Sequence, residues 1–220
     1  MASYFNLVLD TTAPSGLTLS INDGAMYASS TAVKLTIGLD DEVTSGYQMK
    51  IWGIDGVDSE SSASWETFAK TKNVNLTTGD GLKTISIKVR DDVGNETSVV
   101  TDTITLDTTV PVVTITGPDK AKISKVTGFN KSIFSFMSDV EFVEYKVCVV
   151  PATLSTQEAG TLIPTTGGSS NTSGSEGSYP ATTAITVTLM GADLEAASSG
   201  DGTKIVKVFV KTAAGLWSNA

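Results

Sequence analysis

The sequence has 220 residues, a net charge of −9 and no histidine, and 40% of its residues are hydrophobic. An acidic surface repels phosphate groups, so nucleic acids and anionic membranes are not expected as partners. Without histidine, the chain lacks the side chain used most often in acid–base catalysis and in metal binding. We therefore expect a non-enzymatic protein with packed cores and no cofactor.

The N-terminal segment, residues 1–10, has neither the basic n-region nor the hydrophobic h-region of a signal peptide. No stretch of the sequence approaches the roughly 20 apolar residues that a membrane span needs. The sequence thus predicts neither export by a standard signal nor insertion into a membrane. The single cysteine, Cys148, excludes an intrachain disulfide, so stability must come from packing.

The strands predicted along the chain are short, and several alternate apolar with polar residues. Residues 84–89 read Thr-Ile-Ser-Ile-Lys-Val, the period of two that is typical of a half-buried strand. The other predicted strands are residues 17–21, 33–39, 47–52, 74–77, 99–106, 112–116, 132–136, 143–150, 184–189 and 204–211. One helical turn is predicted at residues 191–197. Many short strands separated by Asp-Gly turns predict an all-β fold of two tandem immunoglobulin-like β-sandwich domains.

The chain contains an internal repeat. Residues 9–14 (Leu-Asp-Thr-Thr-Ala-Pro) match residues 106–111 (Leu-Asp-Thr-Thr-Val-Pro) at an offset of 97 residues. Gly79-Asp80-Gly81 matches Gly200-Asp201-Gly202 at an offset of 121, and both triplets are interpreted as hairpin turns. Tyr47 and Tyr145 align at an offset of 98, so the additional residues of the second repeat follow Tyr145.

The additional residues are assigned to a Ser-, Gly- and Thr-rich stretch, residues 165–178, which predicts a long mobile loop. The offsets then predict three parts: an N-terminal extension strand (residues 1–10), a first Ig-like domain (residues 11–108) and a second Ig-like domain (residues 109–220). The Ser/Gly-rich loop belongs to the second domain.

A series of motifs runs through the first repeat. They are Trp65-Glu66, Leu76, Gly79-Asp80-Gly81, Lys83, Val89, Arg90-Asp91, Gly94-Asn95, Asp102-Thr103-Ile104 and residues 106–111. This series resembles a bacterial Ig-like repeat found in tandem arrays on cell-surface proteins and in phage virion structural proteins. The resemblance implies a spacer, stalk or decoration without catalytic residues. The second repeat departs from it, because residues 212–216 read Thr-Ala-Ala-Gly-Leu where residues 91–95 read Asp-Asp-Val-Gly-Asn.

The resemblance also suggests a Ca²⁺ site, since some tandem bacterial Ig-like arrays bind calcium through linker and loop aspartates. The candidates are Asp91, Asp92, Asn95 and Asp107. Calcium takes six to eight oxygen ligands, so these residues would have to converge from two loops. The alternative is that residues 91–95 form a turn in which Asn95 supplies an Asx hydrogen bond.

The N-terminal segment predicts a contact with another subunit. Within residues 4–12, residues 6–12 align with residues 103–109, and the second repeat has no counterpart of strand 99–106 before Ala220. We hypothesise that Tyr4, Phe5, Leu7 and Leu9 add a strand to the second domain of a neighbouring copy. The alternatives are that the chain is a fragment, or that this segment docks on a scaffold protein.

A second contact is predicted from strand 204–211. Where the first repeat has Thr, Ser and Lys at outward positions, the second has Ile205, Lys207 and Phe209, and Lys50 is aligned with Cys148. Apolar outer faces mark contact sites, so Ile205 and Phe209 are assigned to an interface. The alternative is that residues 151–182 cover this face within the same chain.

These features favour a bacteriophage virion structural protein, such as a decoration, collar or tail-associated subunit that assembles in the host cytoplasm. Its expected partners are other copies of itself, capsid or tail scaffold proteins, and a host surface glycan bound weakly. One alternative is a stalk fragment of a secreted bacterial adhesin, located at the cell surface. Another is a carbohydrate-binding module that uses Trp52, Trp65 and Trp217 as stacking platforms.

Overall fold

The computed structural model describes residues 5–41, 44–151, 153–175 and 177–219. The chain divides into two compact units between Thr108 and Thr109, the position at which the sequence repeat divides it. Each unit consists of two β-sheets that enclose a hydrophobic core. The predicted all-β fold of two Ig-like sandwiches is therefore confirmed.

Unit 1 is built from a three-stranded and a five-stranded sheet. Its strands are β1 (Thr18–Ile21), β2 (Tyr27–Ala28), β3 (Ala32–Gly38), β4 (Gln48–Trp52), β5 (Glu66–Thr67), β6 (Thr71–Asn75), β7 (Gly81–Arg90) and β8 (Val100–Leu106). The strand orders are β1-β3-β6 and β2-β8-β7-β4-β5. The pairing of β2 with β8 is parallel, and the other pairings are antiparallel.

Unit 2 repeats this plan with additions. Its elements are β9 (Val113–Thr116), β10 (Lys131–Ser138), β11 (Glu144–Val149), β12 (Thr161–Leu162), β13 (Ser173–Gly174), β14 (Ile185–Met190), helix α1 (Gly191–Ala197) and β15 (Val206–Lys211). One sheet has the order β14-β10-β9. In the other, β11 pairs with β15 along one edge and with β12 and β13 along the other.

Alternation along the strands builds both cores. In β3, Val33, Leu35 and Ile37 are buried while the residues between them face outward. In unit 2 the corresponding layer is aromatic, and Phe136 lies 5.2 Å from Tyr145, centroid to centroid. Burial of each large apolar side chain contributes about 1.5–3 kcal/mol, so these layers supply most of the stabilisation.

The turn after β7 has a close counterpart after β15. In unit 1, Thr97 N–H donates to the Val89 carbonyl (2.9 Å), and Val89 N–H donates to Thr97 Oγ1 (3.1 Å). In unit 2, Ser218 N–H donates to the Val210 carbonyl (2.8 Å), and Val210 N–H donates to Ser218 Oγ (3.1 Å). Both pairs are related by the offset of 121 residues, so β15 is the structural counterpart of β7.

The sequence alignment of the two tyrosine strands, β4 and β11, is wrong by two residues. Gln48 of β4 lies opposite Arg90 of β7, whereas Glu144 of β11 lies opposite Lys211 of β15. Arg90 and Lys211 are counterparts, so Glu144 takes the place of Gln48. A shift of two residues keeps every side chain on its original face, and the alternating pattern alone cannot detect it.

The Gly-Asp-Gly turns are not hairpins, contrary to the sequence interpretation. Residues 79–81 carry the chain from β6 in one sheet to β7 in the other, and residues 200–202 connect α1 to β15. The glycines of both turns have positive φ angles, between 83° and 128°. The Asp80 carboxylate accepts hydrogen bonds from the Thr108 N–H (2.9 Å) and hydroxyl (2.7 Å), so this turn also holds the chain just after β8.

The Ser/Gly-rich segment is an ordered part of unit 2 rather than the predicted mobile loop. The carboxylate of Asp193, a residue of α1 that is 1% exposed, accepts hydrogen bonds from the N–H groups of Gly167 (2.6 Å) and Ser169 (2.9 Å). Burial alone would raise the pKa of Asp193, but hydrogen bonds from Ser169, Gly167 and Thr166 outweigh it and lower the pKa. A buried charge therefore anchors the segment.

The same segment connects the two sheets of unit 2. Ser170 exchanges backbone hydrogen bonds with Thr188 of β14, at 3.0 and 3.2 Å. Three residues later, β13 pairs with Tyr145 and Lys146 of β11. The segment therefore passes from one sheet to the other and closes this side of the sandwich.

Candidate interaction surface

Strand β15 is buried on both faces. Val208 and Val210 belong to the core between the sheets. Phe209 points the opposite way and is also fully buried, in a separate cluster with Cys148 and Val150. Sheets of antiparallel sandwiches commonly have one face in solvent, so an additional layer must cover this outer face.

The cover comes from the same chain: Ile205 and Trp217 pack against this cluster, and residues 154 and 160 lie beside it. A Cβ atom added to Gly160 would lie 2.3 Å from Cγ1 of Val150 and 2.7 Å from Cβ of Cys148. The Lys207 ammonium group donates a hydrogen bond to the Leu154 carbonyl. Of the two explanations for the apolar face, cover in cis is thus the one observed. Phe209 is corrected from an interface residue to a core residue.

Burial within this cluster raises the pKa of the Cys148 thiol. The register of β11 on β15 places Cys148 opposite Lys207, as Trp52 lies opposite Ser86 in unit 1. Cys148 is therefore the counterpart of Trp52 and not of Lys50, which corrects the sequence alignment. A protonated, enclosed thiol at this position acts as a small hydrophobic group.

The edge of β15 that faces away from β11 is partly open. At its end, Ser218 N–H donates to the Val210 carbonyl (2.8 Å). On the other edge, the Ile205 carbonyl accepts a hydrogen bond from the N–H of Val150, the residue after β11, at 2.9 Å. Because backbone groups alternate along a strand, the N–H and C=O groups of Val206 and Val208 point to the open edge, where no described residue pairs with them.

Beside this edge is a cleft of about 1010 Å³ in unit 2. It lies between the β9–β10–β14 sheet, the turn before β15 and helix α1. Its apolar wall includes Ile115, Phe134, Leu189, Leu194 and Ile205. Ile205, predicted as an interface residue, is half-buried and lies where the cleft meets β15. The cleft thus borders the hydrophobic core of unit 2, to which Phe134 and Leu189 belong.

The N-terminal segment is apolar and solvent-exposed. Phe5, Leu7, Val8 and Leu9 are each between 85% and 87% exposed, and residues 5–10 form no strand in the single chain. Such a run of exposed hydrophobic side chains is unfavourable in water and marks a contact site. Tyr4, the remaining predicted interface residue, lies outside the described residues. The assignment of this segment to an interface stays a prediction.

Asp91, the central calcium candidate, is committed to a turn. Its carboxylate accepts hydrogen bonds from Val93 N–H (3.0 Å), Asn95 N–H (2.8 Å) and Asn95 Nδ2 (2.7 Å). Burial would raise the pKa of Asp91, but these hydrogen bonds lower it. Hydrogen-bond donors therefore surround the oxygens that a cation would need, and the Asx-turn alternative describes this site.

The four calcium candidates do not converge within the chain. Asp91 and Asp92 follow the last residue of β7, whereas Asp107 follows Leu106, which pairs with the first residue of β7. Ten strand residues at about 3.3 Å each place these ends about 30 Å apart. The described residues contain no cluster of three or more Asp, Glu, Cys or His side chains suited to a metal.

Two of the tryptophans form similar cation–π contacts in the two units. Arg90 lies 4.3 Å and Lys50 5.1 Å from the ring centroid of Trp65. Lys146 lies 4.8 Å and Lys211 5.5 Å from the ring of Trp217. Both indoles are half-buried. Their faces are thus occupied by cations of their own chain, which argues against open platforms for sugars.

No family model and no curated protein matches the sequence. Among solved structures, the fibronectin(III)-like modules of Clostridium thermocellum CbhA align over 91% of this chain and 89% of that chain, with 12% identity and a TM-score of 0.48. The chicken CNTN1 FN1-FN3 domains align over 94% of this chain but 64% of their own, with 13% identity and a TM-score of 0.40. The D00-D0 domain of intimin aligns over 92% and 96%, with 18% identity and a TM-score of 0.32.

At these identities the likeness concerns the fold alone, and the fold assignment rests on the strand order and pairing of each unit. Among the described residues, no helix is long and apolar enough to span a membrane.

Proposed function

We propose that the chain is a non-enzymatic structural and assembly protein of a bacteriophage virion, acting as a decoration, collar or tail-associated subunit. The observation that carries the assembly role is the open edge of β15 beside an apolar cleft. Unpaired strand edges bind further strands, and most proteins cover or distort them for that reason. The exposed apolar residues 5–9 provide a segment suited to such an edge.

The non-enzymatic part of the proposal is supported by how the reactive groups are used. The Cys148 thiol is enclosed and its pKa is raised, so it is a poor nucleophile. The carboxylates of Asp91 and Asp193 accept hydrogen bonds from backbone N–H groups and serve to hold turns. The two carboxylates stabilise turns and the thiol packs in a hydrophobic cluster, and none of the three lines the cleft.

The assembly role is tested by measuring the mass of the full chain in solution by light scattering, and that of a variant lacking residues 1–10. We expect the full chain to form oligomers in a concentration-dependent manner and the truncated chain to remain monomeric. Circular dichroism of the truncated chain checks that both sandwiches are folded. Two equally monomeric proteins would contradict an assembly role for this segment.

The virion location is supported by the resemblance of the first repeat to Ig-like repeats of phage structural proteins. Mass spectrometry of tailed-phage particles purified from the source organism is the test. We expect the protein to co-purify with intact particles at a stoichiometry of several copies.

A second candidate is a spacer or stalk of a bacterial surface protein, favoured by the tandem arrangement of two sandwich units divided at Thr108 and Thr109. Cell fractionation separates the two roles. Recovery in the cell envelope, with none in phage particles, would favour the stalk and contradict the virion location.

A further inference from the structure

We propose that the open edge of β15 binds residues 5–11 of a second copy of the chain, in the register in which β7 binds β8. This inference rests on the proposed assembly function and specifies its partner and contacts. In unit 1, Gly81, Lys83 and Ile85 lie opposite Leu106, Ile104 and Asp102. Applying the two repeat offsets places Leu9 opposite Gly202, Leu7 opposite Lys204, and Phe5 opposite Val206.

The repeat makes this register specific. β15 corresponds to β7 through matching turns, and residues 9–14 correspond to residues 106–111. Ile85 and Ile87, the counterparts of Val206 and Val208, both pair with β8. Val206 would thus receive from Phe5 the backbone partners that Asp102 of β8 supplies to Ile85 in unit 1.

The inward side chains of the donated segment match the cleft. Ile104 and Leu106 of β8 are each 1% exposed and complete the core of unit 1. Leu7 and Leu9 are their counterparts, and in the proposed complex they enter the cleft beside Phe134 and bury side chains that are now more than 80% exposed.

The outward side chains of the donated segment lie at a more exposed face. The outward residues of β8 are threonines, including Thr105, because the outer face of unit 1 is exposed at that edge. In the proposed register Val8 lies opposite Thr203, which is exposed, and Asn6 lies opposite Ile205, which is half-buried. The donated strand would therefore be covered mainly on the face that carries Leu7 and Leu9, the usual arrangement at the edge of an antiparallel sheet.

A polar contact fixes the end of the strand. Asp80 binds the N–H and hydroxyl of Thr108 at 2.9 and 2.7 Å. The counterparts are Asp201 and Thr11. Within the described residues, Asp201 accepts no hydrogen bond, and its exposed carboxylate is positioned to bind Thr11 of the donor copy in the same way.

Interchain disulfide formation tests the register directly. Val8 and Thr203 are counterparts of Thr105 and Leu82, which lie directly opposite each other in unit 1. We expect the full chain with Val8→Cys and Thr203→Cys to form covalent oligomers on oxidation. The off-register control, Asn6→Cys with Thr203→Cys, places the cysteines diagonally and should react much less, because disulfides require Cα atoms within about 7 Å. The native Cys148 is enclosed and does not compete.

The outcomes separate this inference from the proposed function. A disulfide within one chain, or equal yields for the two cysteine pairs, would overturn strand donation in this register. If the chain still forms oligomers by light scattering, the assembly function stands and only the register is wrong. If the chain is monomeric and no interchain disulfide forms, both proposals fail.

Matched substitutions test the side chains. Leu7→Asp places a charge in the cleft and is expected to weaken self-association by more than about a hundredfold, whereas Val8→Asp adds the same charge at the outer face and should cost less. Asp201→Ala should weaken self-association by about tenfold, because the contact with Thr11 is lost. Equal effects of Leu7→Asp and Val8→Asp would contradict the assignment of the inward face.

Discussion

The clearest test of the ordered Ser/Gly-rich segment is the substitution Asp193→Ala. The Asp193 carboxylate binds the N–H groups of Gly167 and Ser169, and removal of the side chain leaves both donors without it. Ser169 is 4% exposed, so its N–H would lose its partner in a place that water reaches poorly. Gly167 is exposed, and its N–H can bind water instead.

The magnitude follows from this difference between the two donors. An unsatisfied buried donor costs about 1–3 kcal/mol, and the loss of a second, solvent-accessible hydrogen bond to a charge adds about 1 kcal/mol. We therefore expect Asp193→Ala to lower the free energy of unfolding of unit 2 by about 2–4 kcal/mol. Unit 1 should be unaffected.

The assay is a urea series with pulse-labelling hydrogen exchange, in which peptides report each unit separately. Glu195→Ala is the matched control, because it removes the same charge from α1 but only breaks an exposed ion pair with Lys125, worth less than about 1 kcal/mol. Equal unfolding midpoints for Asp193→Ala and Glu195→Ala would refute the anchoring role of Asp193, as would unchanged exchange in residues 165–175.

Three further predictions concern single sites. Gly160→Val adds a side chain that would overlap Val150 and Cys148, and overpacking of this kind costs about 1–3 kcal/mol. We expect the chain at residue 160 to move away from Cys148, so that the Cys148 thiol reacts with a thiol reagent about tenfold faster or more. An unchanged rate would contradict cover in cis. Asp91→Ala should destabilise unit 1 by about 2–3 kcal/mol. Thr212→Ala, at the corresponding position of unit 2, should cost less than about 1 kcal/mol, because the Thr212 hydroxyl accepts a single hydrogen bond of 3.4 Å. Equal losses of stability in urea would contradict this difference between the two turns. The folded-state pKa values of Asp91 and Asp193 are lowered, so both carboxylates add stability that is fully present above the ordinary pKa of about 3.9 and is lost as the pH falls through the lowered values. The urea midpoint should therefore be constant near neutral pH and should drop below about pH 4. The drop should be smaller in Asp193→Ala.

The strands and the helical turn could be predicted from the sequence because their signals are local. The alternation in residues 84–89 lies within β7, and the predicted helical turn at residues 191–197 is α1. The turn after β7 was also recognisable as an alternative to a calcium site, because Asp91 and Asn95 are close in sequence. Local chemistry was sufficient in these places.

The errors concern contacts between distant residues. The order of residues 167–169 depends on Asp193, a single carboxylate more than 20 residues away that has no marker in the sequence. The separation of Asp91 from Asp107 is set by the length and pairing of β7. Cover of Phe209 within the chain, to which Trp217 contributes, likewise depends on contacts in space that periodicity does not encode.

The path of residues 165–175 has a consequence for how unit 2 moves. These residues bind Thr188 in one sheet and Tyr145 in the other, so backbone hydrogen bonds tie the two sheets together on that side. The opposite side, between β9 and β15, contains the cleft. We therefore expect any separation of the two sheets to occur by rotation about the tied side, which would change the width of the cleft and leave the hydrogen bonds of the tied side intact.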